Sequence, residues 1–159
     1  MLREDPGLWP AAVEKILRFE SPVQMLVRSA RRDTEIAGTR IRRGAMVGLL
    51  MGGANRDPRV FTDPDRFDIT RPNARDHLAF GSGMHGCLGA ALAGVEGAIA
   101  LRTLFERFPD LSLSEQPERL GLVTLRLSAT VLMTWASDIA WSTSAHSLLP
   151  TLIATLGIG

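Results

Sequence analysis

Val13, Ile16 and Leu17 recur at helical spacing behind Pro10 and predict a helix over Pro10–Glu20. Proline suits the first turn of such a helix, and Ser21-Pro22 stops it. The apolar pattern then shortens. Val23–Arg28 reads as a strand, and Thr34–Ile41 as β structure with a turn at Gly38-Thr39. A second turn is expected at Arg43-Gly44, and Ala45–Leu50 is a continuous apolar run expected to be buried. From Asn55 to Asn73, Pro58, Pro64 and Pro72 lie among aspartates and asparagines, which predicts an irregular but ordered loop. Leu88–Phe108 carries the longest helical pattern, although Gly94 and Gly97 weaken it by roughly 1 kcal/mol each. Leu125, Leu127, Ala129 and Val131 alternate with polar residues, so Leu120–Trp135 reads as paired strands. No element is assigned from Ser137 onward. The fold class is α+β, short strand pieces around one long helix.

Composition narrows the function classes. The 159 residues are 45% hydrophobic and 22% charged, within the range of a soluble globular domain. A net charge of +1 gives no reason to expect nucleic acid or an anionic membrane as partner. The single cysteine excludes an internal disulfide and fits a reducing, cytoplasmic setting. The charged start MLREDPGLWP lacks the apolar stretch of a signal peptide. Ser147–Gly159 is apolar but contains Pro150 and falls short of the roughly 20 residues a spanning helix needs.

That cysteine, Cys87, lies in the segment Phe80-Gly81-Ser82-Gly83-Met84-His85-Gly86-Cys87-Leu88-Gly89, a glycine-rich loop leading into the long helix. A thiolate near a helix start is favoured by the unpaired N–H groups and the dipole there. Glycines let backbone approach a flat or bulky group. Gly81, Gly83 and Gly86 match a G-x-G-x-x-G dinucleotide fingerprint, but no convincing strand leads in, and the acidic candidate Glu106 lies inside the helix. A cysteine nucleophile with His85 as base lacks a third group to orient the histidine. A buried, inert thiol is the ordinary fate of a lone cysteine, but the glycine density argues against it. A thiolate offered to haem iron fits the soft sulfur and leaves the opposite face of the ring open to oxygen.

The order Phe80-Gly81-x-Gly83-x-His85-x-Cys87-Leu88-Gly89 resembles the haem-binding loop of the cytochromes P-450. Other segments agree in family order. Val13–Gln24 (VEKILRFESPVQ) resembles the family's helix K and the strand entry after it. Asn55-Arg56-Asp57-Pro58 with Phe61, then Asp63-Pro64-Asp65-Arg66-Phe67-Asp68, resembles its meander, and Leu88–Glu106 its helix L. His77-Leu78-Ala79-Phe80 leads into the loop as in soluble bacterial members. The resemblance covers residues 1–135, which would form the C-terminal haem-binding part of that fold with its small β-sheets. Residues 136–159 are an atypical apolar tail.

The resemblance implies haem b as cofactor and Cys87 as the iron ligand. His85 and Arg28 match positions that pair with the haem propionates, where a guanidinium suits a carboxylate. Phe80 would shield the thiolate face, and Gly81, Gly83 and Gly89 would allow close approach to the porphyrin. His77 is expected to be structural or to lie at the surface. Gln24, Met25 and Leu26 correspond to the strand lining an apolar substrate pocket. The implied activity is monooxygenation of a small organic molecule, with electrons from an acidic ferredoxin-type partner.

Departures from the family pattern sharpen the expectation. The helix K motif is Glu-x-x-Arg; with Arg18 as its arginine, the glutamate position holds Lys15. Lys15, Arg18 and the meander arginine Arg66 would then form a cluster of like charges, costing on the order of several kcal/mol if buried and unpaired. Glu14, four residues before Arg18, is the expected partial compensation. Gly94 stands where helix L usually carries an arginine. The family's helix I, with its acid–alcohol pair, is not found in these residues, so no catalytic, oxygen-activating residue is assigned. The rival expectation is a truncated, non-catalytic haem-binding remnant.

Overall fold

A computed structural model of the chain describes residues 1–114, 116, 117, 122, 124–126, 133 and 134. After a short 3-10 turn at Pro6–Leu8, helix α1 spans Trp9–Phe19, with Pro10 in its first turn. Strand β1 (Leu26–Ser29) pairs antiparallel with β4 (Met46–Leu49), setting Arg28 opposite Val47. Between them β2 (Thr34–Ile36) and β3 (Thr39–Ile41) form a separate hairpin. Its turn residues Ala37 and Gly38 both have positive φ, 48° and 78°, the combination that a twisted two-residue hairpin turn requires. A single turn, α2 (Met51–Ala54), follows β4, and helix α3 occupies Ala90–Arg107. Strand β5 (Ser112–Leu113) pairs with β6 (Met133–Thr134), and Leu125 bridges Val23.

The two helices lie within a residue or two of their expected bounds, the first hairpin forms with its turn at Ala37-Gly38, one residue earlier than expected, and Gly44 makes the second turn with φ 85°. The run at Ala45–Leu50 corrects the expectation of burial. It forms a strand, but Met46 and Leu50 are largely exposed, because β4 belongs to a two-stranded ribbon rather than to the core. The strands expected over Leu120–Trp135 fall mostly outside the described residues, as does the 136–159 tail.

Among the described residues, the buried apolar side chains are Trp9, Ala12 and Val13 of α1 with Met51, Phe61, Ala74 and Ala79, and the turn that holds Ala74 packs on α1. Helix α3 crosses α1 where it carries glycine. A Cβ on Gly97 would stand 3.3 Å from Val13 Cγ1, so the close approach needs its absence. Trp9 stacks on Phe105, ring centroids 5.8 Å apart, further along the same contact. Elsewhere α3 is open: Leu92, Val95 and Ile99 follow one another along the helix and are exposed, as is Leu88 just before it.

The 55–73 loop is ordered by side chains rather than by ladders. Arg18, 1% exposed, donates to the carbonyls of Asn55 (2.8 Å), Pro64 (3.0 Å) and Arg66 (3.4 Å). Arg71 donates to the carbonyls of Thr62 and Asp63. Arg56 lies over the Phe19 ring and donates to the Phe19 carbonyl.

Candidate functional site

The loop bearing Cys87 is fixed to this frame through Asn55. That side chain is fully buried; its Nδ2 donates to Ser21 Oγ and its Oδ1 accepts the N–H of Leu78, each at 2.6 Å. One residue earlier, His77 Nδ1 accepts from the Ala79 N–H at 3.2 Å. Its Nε2 then carries the proton and donates to Glu14 Oε2 at 3.0 Å. His77 is thus structural, as expected. Glu14 serves His77 rather than Arg18, which corrects its expected role; the carboxylate that acts on Arg18 is Asp65.

From this anchor the chain turns sharply. Gly81 N–H donates to the Leu78 carbonyl, and Gly81 and Gly83 have φ of 72° and 65°, values that other L-residues rarely adopt. A 3-10 turn, Gly83–His85, brings the chain back so that the Cys87 N–H donates to the Phe80 carbonyl at 2.9 Å. Cys87 follows this closed loop directly, its thiol exposed to solvent, and Gly89 caps helix α3. A Cβ at Gly89 would stand 3.8 Å from Cys87 Sγ, so glycine leaves that side of the sulfur clear. The Phe80 ring lies 6.0 Å from His77, tying the loop to its anchor.

Beside the loop lies an open recess of about 370 Å³. Its wall is mostly apolar, from Leu26, Leu49, Leu50, Met51, Ala54 and Leu78. Its polar edge holds Arg28, Ser82 and His85, with Gly81. Strand and loop thus bring Arg28 and His85 to one cavity. Leu26 lines it as well, but Gln24 and Met25 do not. Gln24 donates to the Ser21 carbonyl and its amide lies against Gly52; Met25 packs against Gly48. The donor set fits haem: an accessible thiol for iron, and a cation and an imidazole at a recess for carboxylates, on a loop whose glycines leave space.

The profile of the cytochrome P450 family matches residues 7–129. This chain belongs to that family. It is 54% identical over 133 residues to a putative cytochrome P450 140 of Mycobacterium tuberculosis, covering 84% of this chain and 30% of that protein. It is 55% identical over 115 residues to the biotin biosynthesis cytochrome P450 of Bacillus subtilis, covering 72% and 29%. Among solved structures, P450BioI in complex with hexadec-9Z-enoic acid ligated acyl carrier protein superposes with a TM-score of 0.81 at 47% identity, covering 85% of this chain and 35% of that one. Cytochrome P450 CREJ gives the same TM-score at 40% identity, covering 86% and 34%. The α+β architecture is accordingly that of part of the P450 fold, and haem b is the cofactor of the family. The chain spans about 30% of the length of the curated P450 relatives cited here. Among the described residues, no helix is long and apolar enough to cross a membrane.

The cation cluster differs from its expectation. Arg66 is exposed and contributes only a carbonyl; the third cation near Lys15 and Arg18 is Arg71. Burial, then Arg71, pushes the Lys15 ammonium below the usual lysine range, with Asp68 opposing and Arg18 reinforcing. Neither Arg71 nor the anchoring Asn55 stood out in the sequence as a site residue. Their bonds join side chains to loop carbonyls and leave no periodic trace. The turn-forming stretch Asn55-Arg56-Asp57-Pro58 was the one available signal.

Proposed function

We propose that this chain supplies the haem-thiolate site of a cytochrome P450 monooxygenase, with Cys87 as the protein ligand to iron. The observation that carries this reading is the convergence of Arg28 and His85 on one recess beside the Cys87 loop. Residues 1–135 would form the haem-binding part.

Each residue has a role consistent with its place. The Cys87 thiolate would hold the iron, its backbone fixed by the bond from its N–H to Phe80. Arg28 and His85 would bind and orient the propionates, the guanidinium through its planar fork. Gly81, Gly83 and Gly89 would keep Cβ atoms out of the ring's path, and Phe80 would exclude water from the sulfur. Leu26 is the best placed of the three expected substrate-contact residues; Gln24 and Met25 would set the strand that carries it. When bound, haem supplies the activation of O2 that puts one oxygen atom into an organic substrate and reduces the other to water. The apolar wall of the recess favours an apolar small molecule as substrate. Electrons would come from a ferredoxin-type partner in the cytoplasm.

The test is the absorption spectrum of the full chain with added haem, reduced under carbon monoxide. A red-shifted, thiolate-type Soret band that disappears in Cys87→Ala is the expected result. A histidine-type band, or free haem, overturns the assignment. A second reading, a haem-binding remnant without turnover, is favoured by the buried Lys15 with no bonded partner. Product formation with a ferredoxin and its reductase separates the two.

A further inference from the structure

The contact between α1 and the 55–73 loop holds more positive charge than it can neutralise. Lys15 is 2% exposed and Arg18 1%, and Lys15 Nζ, Arg18 Nε and Arg71 Nε are buried without a hydrogen-bond partner among the described residues. Both guanidiniums spend their terminal nitrogens on neutral carbonyls: Arg18 on Asn55, Pro64 and Arg66, Arg71 on Thr62 and Asp63. The carboxylate felt by Lys15 is Asp68, whose Oδ1 accepts from the Thr70 N–H and hydroxyl instead. Glu14, on the same helix, is committed to His77. A recess of about 350 Å³ opens at the Arg71 edge of the cluster, bordered also by Arg66 and Asp68 but not by Lys15 or Arg18. A buried donor left unbonded costs about 1–3 kcal/mol, and more when charged.

We propose that this contact is a binding site for a small monovalent anion of chloride or formate size, held by Lys15 Nζ with help from the free Nε–H groups of Arg18 and Arg71. A single negative charge there would neutralise one cation and give the ammonium a partner, for which these residues provide none. The two acids at the recess, Asp63 and Asp68, disfavour multiply charged anions and set the preference for small size and single charge. The site lies in the α1–loop contact and uses none of the residues proposed to hold haem.

The experiment is thermal unfolding of the full chain in increasing sodium chloride, sodium formate or sodium gluconate at constant total ionic strength. Chloride and formate are expected to raise the melting temperature along a saturating curve; gluconate, too bulky to pass from the recess into the buried contact around Lys15, is not. Binding at about 100 times the Kd raises the folded-to-unfolded ratio about 100-fold. Lys15→Met, similar in volume, should lose the response. Coincident curves for the three anions, or an undiminished response in Lys15→Met, overturn the proposal. Chloride-35 NMR line broadening by the unmodified chain, displaced by formate, gives a second readout that needs no variant. Absence of broadening at chloride concentrations near the midpoint of the thermal titration counts equally against it. A response to formate alone assigns the site to carboxylates, and a response to both assigns it to small anions in general.

Discussion

The side-chain oxygen of Asn55 accepts the backbone N–H of Leu78 at 2.6 Å, so the start of the cysteine loop hangs on a residue more than twenty positions earlier. The Asn55 Nδ2 also donates to Ser21 Oγ, and the backbone carbonyl of Asn55 receives Arg18. Asn55→Ala would leave the Leu78 N–H without its bonded acceptor and free the Ser21 hydroxyl. At about 1–3 kcal/mol for an unsatisfied buried group, the loss should lie near the upper end of that range. Urea unfolding measures it. Haem affinity should fall in parallel, because the anchored turn positions Cys87.

Cys87→Ala separates chemistry from folding. The thiol is exposed and lies on the loop surface, so its removal should change stability by no more than about 0.5 kcal/mol. The thiolate-type spectrum with carbon monoxide should vanish completely. A large loss of stability in urea would show that the sulfur has a packing role its exposure does not reveal.

Lys15 sets a pH dependence. Burial, with Arg71 and Arg18 against Asp68, holds its folded-state pKa below the ordinary 10.5. Between those two values the unfolded chain binds the proton more, so stability rises with pH. The penalty is fully present below the folded-state value and is gone above 10.5. In a gluconate buffer, stability should therefore climb as pH rises toward 10.5, and this slope should be missing in Lys15→Met. Lys15→Glu, which places a carboxylate among the arginines, should be more stable than the unaltered chain at neutral pH, and no gain there would count against an unrelieved charge cluster.

Two glycines of α3 should behave differently. A Cβ at Gly94 meets nothing within 4 Å, so Gly94→Ala should stabilise by about 0.5–1 kcal/mol through helix propensity. At Gly97 the new methyl would press on Val13 at 3.3 and 3.5 Å, offsetting that gain. Comparing the two melting temperatures tests whether the α1–α3 contact is as tight as it looks.

Periodicity and turn chemistry made α1, α3 and the β2–β3 hairpin readable, because their residues carry local signals such as Pro10 and Gly38. The cysteine loop was readable from residue order, since the backbone at positions 81 and 83 strongly favours glycine. Burial was harder to read. Ala45–Leu50 has the apolar run of a core strand yet lies in a two-stranded ribbon, a fact about partners rather than about its own residues. Glu14 illustrates the same limit: helical spacing pointed it toward Arg18, but His77 arrives from far along the chain and takes it.

The carbonyls that Arg18 gathers from residues 55, 64 and 66 give the loop its shape, so the loop has little conformation of its own to fall back on. Helix α1 and the loop should therefore open as one cooperative unit. In amide exchange, an irregular segment rich in proline and aspartate would report the same opening free energy as a regular helix. The β2–β3 hairpin, exposed along nearly all its length and clamped by Asp33 on Arg40 and the Arg43 N–H, should exchange independently of both.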